Sequence, residues 1–144
     1  MNPEVDQILG VSSAQLMSAL APMLPEGYPQ GTAAVLSLMM ALSAQEYDRA
    51  AEIRAAENAD MRALFRELAP RVEDAVLRAQ LESSAQMQDE SIRISTLNKS
   101  NADLRRLLIA LQTHIETQGT AHDAEARIWA VLKRMAAGRL LKLA

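Results

Sequence analysis

Residues 97–115 read LNKSNADLRRLLIALQTHI. Leu97, Leu104, Leu108, Leu111 and Ile115 follow a spacing of four and three residues once Asn101 is counted on the same line. That spacing returns every member to one face of a helix at 3.6 residues per turn, whereas a strand would scatter them over both faces. Leu107 widens the stripe. The pattern predicts a helix from about Ile92 to Gln118, stopped by Gly119, which suits a left-handed cap. Two readings of Asn101 stay open. A polar residue on a buried seam can fix register or oligomeric state, and Asn98 or Asn101 could instead cap a frayed helix start.

Neither proline nor glycine occurs between Pro70 and Gly119. An unbroken helix there would be about 72 Å long at 1.5 Å per residue. A compact domain of this size is roughly 40 Å across. The stretch must therefore break, or the protein must be elongated and oligomeric. Glu82 to Ser91 is the weakest part, since Ala85 and Met87 are its apolar residues, and the break is expected there.

Toward the N-terminus, a helix is expected from Pro3 to Ala21, with Val5, Ile8, Leu9, Leu16, Met17 and Leu20 facing inward. Pro22 to Gly31 holds three prolines and two glycines and reads as a connecting loop. A second helix should begin at Thr32 as N-cap and run to about Glu57. Its apolar run from Ala33 to Ala44 spans about 18 Å, short of the ~30 Å of a bilayer core. It reads as a helix buried on most sides, and Tyr47 and Ile53 should face inward beyond it. Asn58 or Asp60 could cap a short third helix carrying Met61, Leu64, Phe65 and Leu68, and Pro70 ends that helix or begins the next. After Gly119, Thr120 and Asp123 resemble a capping box for a last helix. That helix should bury Ile128, Val131, Leu132 and Met135 and reach Ala137, with Gly138 beyond it. Arg139 to Ala144 is a tail that could pack through Leu140, Leu141 and Leu143.

Composition agrees with this reading. Ala, Leu, Met, Glu and Arg lose little freedom in a helix, and the strand-forming aromatics amount to one Trp, one Phe and two Tyr in 144 residues. The expected fold is all-α: a single-domain antiparallel bundle of about five to six helices covering 1–144. The chain contains no cysteine, which excludes disulfides, thiolate nucleophiles and cysteine-bound metals. With an acidic opening segment in place of a basic leader, this points to the cytoplasm.

Charge is distributed unevenly. Residues 1–60 carry eight acids and two bases, whereas residues 127–144 carry Arg127, Lys133, Arg134, Arg139 and Lys142 and no acid. A basic last helix beside an acidic first or second helix would be complementary within the chain. The alternative is a docking surface for an acidic partner or an anionic lipid surface, with Trp129 one turn before Lys133 as anchor. The first reading is favoured over both, and the net charge of −3 argues against nucleic acid.

Chemistry is sparse. His114 and His122 belong to no zinc or di-iron motif, although His122 and Glu125 could share a helix face. Glu73-Asp74 and Asp89-Glu90 are adjacent carboxylates that splay apart on a helix and read as solvated. No nucleophile elbow or phosphate loop is present, so no catalytic, cofactor or metal residue is assigned. Met17, Met23, Met39, Met40, Met61, Met87 and Met135 read as core filling rather than as an adaptable groove.

The favoured function is a non-enzymatic bundle that self-associates or binds a partner helix. Leu104, Leu108, Leu111, Ile115, Trp129, Lys133 and Arg134 are the candidate partner-binding residues. An enzyme or accessory subunit using Arg105, Arg106, Tyr47 and the histidines is the first alternative. A sensor for a small apolar ligand in a Met- and Leu-lined core is the second.

Overall fold

A computed structural model describes residues 4–119 and 122–141. Among the described residues every regular element is helical and there is no strand. The helices are α1 (Val5–Gln15), α2 (Tyr28–Leu68), α3 (Ala75–Gln86), α4 (Ile94–Gln118) and α5 (His122–Gly138). The chain groups into two compact units. The first is formed by residues 4–50 with Leu141, and the second by Ala51–Leu140.

In the first unit, α1 passes into a π turn at Leu16–Leu20 and a 3-10 turn at Ala21–Met23. Pro22 lies in that last turn and has no N–H to donate, so the α ladder cannot continue through it. The connection is shorter than the run of prolines and glycines suggests. Pro22 belongs to the 3-10 turn, and Pro29 and Gly31 belong to the opening turn of α2. Proline is tolerated there because a first-turn N–H has no helical partner anyway. Gly27, at φ 94°, makes the reversal, and the Gly31 N–H bonds to its carbonyl at 3.0 Å. Thr32 is therefore no cap. Its hydroxyl donates back to the Tyr28 carbonyl at 3.0 Å.

The expected helix start at Asn58 or Asp60 does not exist. α2 runs through both residues without interruption. Asn58 is fully buried and satisfied by distant side chains, so it has no need to cap anything. The break in 82–91 does exist. α3 ends at Gln86, α4 begins at Ile94, and Met87–Arg93 connects them.

The second unit is an up-down-up-down bundle of the last part of α2 with α3, α4 and α5. Its core contains Met61, Phe65, Leu68, Leu81, Leu111 and Ile128, each at most 1% exposed. Asp74 caps α3, accepting from the Val76 and Leu77 amides at 2.8 and 3.0 Å. These bonds to the charged form hold its carboxyl below the usual value. Glu73-Asp74 is thus not merely a solvated pair. Gly119 caps α4 at φ 66°. Gly138 has no positive φ and remains helical. Thr120, the expected cap of α5, lies outside the described residues, as do Pro3, Lys142 and Leu143. No helix among those described is long and apolar enough to cross a membrane.

Candidate interaction surface

In the second unit the sequence stripe is spent on the chain's own core. Leu104, Leu108, Leu111 and Ile115 are 0–4% exposed and pack with Phe65, Leu81 and Ile128. As folded, they have almost no surface left for a partner. Trp129 is 53% exposed and Lys133 lies open beside it.

The basic segment is largely satisfied within the unit. Arg139 donates to Glu57 at 2.5 and 2.6 Å, Arg134 pairs with Asp60 at 2.8 Å, and Arg127 with Glu67 at 3.2 Å. As α2 advances from 57 to 67, its partners on α5 and just beyond retreat from 139 to 127. That order shows the two segments antiparallel with their charges matched, as the intrachain reading of the charge asymmetry expects.

A polar network closes one end of this bundle. Asn101 donates to the Glu57 carboxylate at 2.9 Å and to the Asn58 carbonyl oxygen at 3.0 Å. Asn58 donates to Asp89 at 3.0 Å, and Arg62 joins Asp89 at 2.8 Å to Ser100 at 2.9 Å. Asn101 therefore sits on the buried seam and is not a cap. Burial alone would raise the Glu57 carboxyl, but Arg139, Asn101 and the Arg105 charge outweigh it and hold it below the usual carboxylate value. Burial likewise opposes ionisation of Asp89, and Arg62, Ser100 and Asn58 reverse it. Both carboxylates are committed to structural bonds, which makes them poor general bases.

A cleft of about 370 Å3 opens beside the network, lined by Met87, Asp89, Lys99, Ser100, Asp103 and Leu107 among others. No histidine lines it, and its one hydroxyl–carboxylate pair, Ser100 with Asp89, is held by Arg62. His114 accepts from the Glu73 amide at 3.4 Å and contacts Gln118 at 3.0 Å, whereas His122 faces Glu125 at 3.7 Å. Arg106 pairs with Asp103 on its own helix, and Tyr47 belongs to the first unit. No group of three potential metal ligands occurs among the described residues.

The first unit is built the other way round. Its buried residues are all small: Ser13, Ala21, Ala33, Ser37 and Ala50. Ser13 and Ser37 lock α1 to α2 reciprocally. The Ser13 hydroxyl donates to the Ser37 carbonyl at 2.9 Å, and the Ser37 hydroxyl to the Ser13 carbonyl at 3.0 Å. Small side chains let the backbones approach, and the hydroxyls satisfy carbonyl oxygens in the dry contact. The large apolar residues are left outside. Val5, Ile8, Met17 and Leu20, expected inward, are 41–54% exposed. Val35, Leu36, Leu38 and Met39, read as buried on most sides, are 48–59% exposed, and Tyr47 is 55% exposed. Met23 and Tyr28 stand out at 81% and 88%. Ala33 and Ser37 mark the face of α2 turned to α1, so Val35, Leu38, Met39 and Leu42 mark the face turned away from it.

The sequence carried a signal for this. Ala33, Ser37, Ala41 and Ala44 form a stripe of small residues at helical spacing, with the larger ones on the other side. No family model matches this chain, and no curated protein or solved structure matches it.

Proposed function

We propose that this protein acts without catalysis, by docking a protein helix onto the apolar face of its first unit. The observation that supports this is the inverted packing there: small residues inside, Val35, Leu38 and Met39 outside. The exposed parts of Val35, Leu36, Leu38 and Met39 alone come to on the order of 400 Å2, within the range of the largest patch on an ordinary monomer. Tyr28, on the same line of α2, extends it. A stripe of i, i+3, i+4 and i+7 anchors is the geometry by which one amphipathic helix is received by another. Met39 is on this surface rather than in a core, and an unbranched methionine repacks readily against different partners.

A photo-crosslinking amino acid in place of Val35 tests the reading in cells. Protein adducts should form there and not from the same substitute at Ile109, which is 65% exposed in the second unit. Equal yields at both sites, or none at Val35, would remove the assignment.

A further inference from the structure

The connection between α3 and α4 is anchored at its two ends and tied at one point between them. The last turn of α3 is held to α2 by Arg66, which donates to the Ala85 carbonyl at 2.8 Å. The first turn of α4 is held by Asn58, whose amide donates to the Leu97 carbonyl at 3.4 Å. Between these anchors Met87 and Ile92 are 63% and 82% exposed, so apolar burial contributes little to holding Met87–Arg93 in place. The Arg93 amide donates to the Ser91 hydroxyl at 3.1 Å, a bond within the connection itself. Among the described residues, side-chain bonds from Met87–Arg93 to another element run through Asp89. Asn58 and Arg62 both donate to its Oδ1, at 3.0 and 2.8 Å, and the Ser100 hydroxyl adds a third bond.

The same connection helps to form the cleft of about 370 Å3. Met87, Asp89 and Glu90 line it together with Lys99, Asp103 and Leu104 of α4. A wall with little buried apolar surface and a single polar tie is the part of a bundle that opens at least cost. We propose that Met87–Arg93 is a strap that gates this cleft, hinged where α3 ends at Gln86 and α4 begins at Ile94, and clasped by Asp89. Closed is its resting state. Arg62 is 9% exposed and joins Asp89 to Ser100 through Nη2. Withdrawing Asp89 leaves that guanidinium without its counter-ion, and an uncompensated charge in so dry a place is costly. The open state is therefore sparsely populated. Leu104 lines the cleft yet is 4% exposed, and Arg62 lines it too. An open strap uncovers Leu104 and frees the Arg62 charge beside it, so the cleft gains apolar surface and a cation together.

The chain has no cysteine, so one introduced thiol reports on one place. Leu104→Cys puts it in the cleft, and Leu111→Cys puts it in the core, where the native residue is 0% exposed. Alkylation of each by a maleimide is followed at low urea concentrations, below the unfolding transition. Global unfolding exposes much surface, so a thiol reached that way reacts faster with every increment of urea. Opening of a strap exposes little, so a thiol reached that way reacts at a rate nearly independent of urea. The Leu104→Cys chain should give the flat response and the Leu111→Cys chain the steep one. Adding Asp89→Ala to Leu104→Cys should raise the flat rate by about tenfold, through the loss of hydrogen bonds to a charged group.

Asp89→Asn keeps the shape and a neutral acceptor, so it should raise the rate by a smaller factor. It carries the comparison should circular dichroism show the alanine variant unfolded. Equal urea dependence at the two thiols would mean that Leu104 is reached only when the whole unit unfolds, and the strap would be overturned. A flat rate at Leu104→Cys that neither Asp89 substitution changes would overturn the clasp, and with it the proposal.

Discussion

The two units solve the same problem in opposite ways. The second buries Phe65, Met61 and Leu111 and turns its charges outward or pairs them. The first buries serine and alanine and turns leucine, valine and methionine outward. Thirteen of the twenty exposed large apolar residues described lie in the first unit, although it is about half as long as the second. Full burial of a Leu or Phe side chain is worth roughly 1.5–3 kcal/mol. The second unit has collected that stabilisation within the chain, and the first has it still to gain. The difference teaches that helical spacing alone does not say which apolar stripe is core and which is interface.

The sharpest way to break the comparison is the same substitution in both units. Leu108→Asp places a charge at a position 3% exposed within the apolar core. It should cost more than about 4 kcal/mol and unfold the second unit. Leu38→Asp, at a position 48% exposed, should shift stability by less than about 0.5 kcal/mol in dilute solution. Urea unfolding followed by circular dichroism reads both. Similar losses would mean that the outer face of α2 is core after all.

Next in size is the buried network. Asn58→Leu keeps the volume but removes a donor to Asp89 and an acceptor for Asn101. Groups left unpaired inside cost about 1–3 kcal/mol, so a loss near 2 kcal/mol is expected. Recovery in the double variant Asn58→Leu, Asn101→Leu would show that the cost lies in the unpaired amide. No recovery would place it in the carboxylates, Asp89 having lost Asn58 and Glu57 having lost Asn101. Smaller again is Ser13→Ala, which removes one reciprocal bond between α1 and α2. Amide exchange in residues 33–44 should quicken by about fivefold, equivalent to roughly 1 kcal/mol. Unchanged exchange would mean that the close backbone approach, and not the hydroxyls, holds the pair.

The all-α class and the break before Ile94 were legible because each rests on local chemistry: the spacing of Leu97 to Ile115, and the lack of apolar anchors around Glu82–Ser91. Gly119 as a stop was legible for the same reason. The continuity of α2 through Asn58 was not. Asn58 resembles a cap until Asp89 and Asn101, 31 and 43 residues away, are brought beside it. The pairing of Arg127, Arg134 and Arg139 with α2 was visible as a charge imbalance and lacked only its register. The open face was misjudged because Val35 and Leu38 were read by hydrophobicity, while Ala33 and Ser37 were not read by size. Close packing in the first unit follows the small residues, and that leaves the large ones nowhere to go but out.

The smallest expected effect separates the surface charges of the second unit from its buried network. Arg71 donates to both Asp123 oxygens at 2.6 and 2.8 Å. These bonds pull the Asp123 carboxyl down to about 2, against the modest opposing effect of burial. A carboxyl whose folded value is depressed stabilises the fold above its unfolded value and loses that contribution as pH falls through the folded one. For Asp123 the window runs from about pH 4 down to about pH 2. Both partners are largely exposed, at 44% and 69%, so solvent screens the pair and the contribution is small. Asp123→Asn should unfold slightly more easily than wild type at pH 6, and the two urea curves should merge by about pH 2. The acid sensitivity that remains in the variant belongs to Glu57, Asp74 and Asp89, whose carboxyls are also held low. If the gap between variant and wild type persisted at pH 2, charge would not be its cause. The end of α5 would then depend on how Asp123 packs, and the second unit would owe less to its surface ion pairs than to its core.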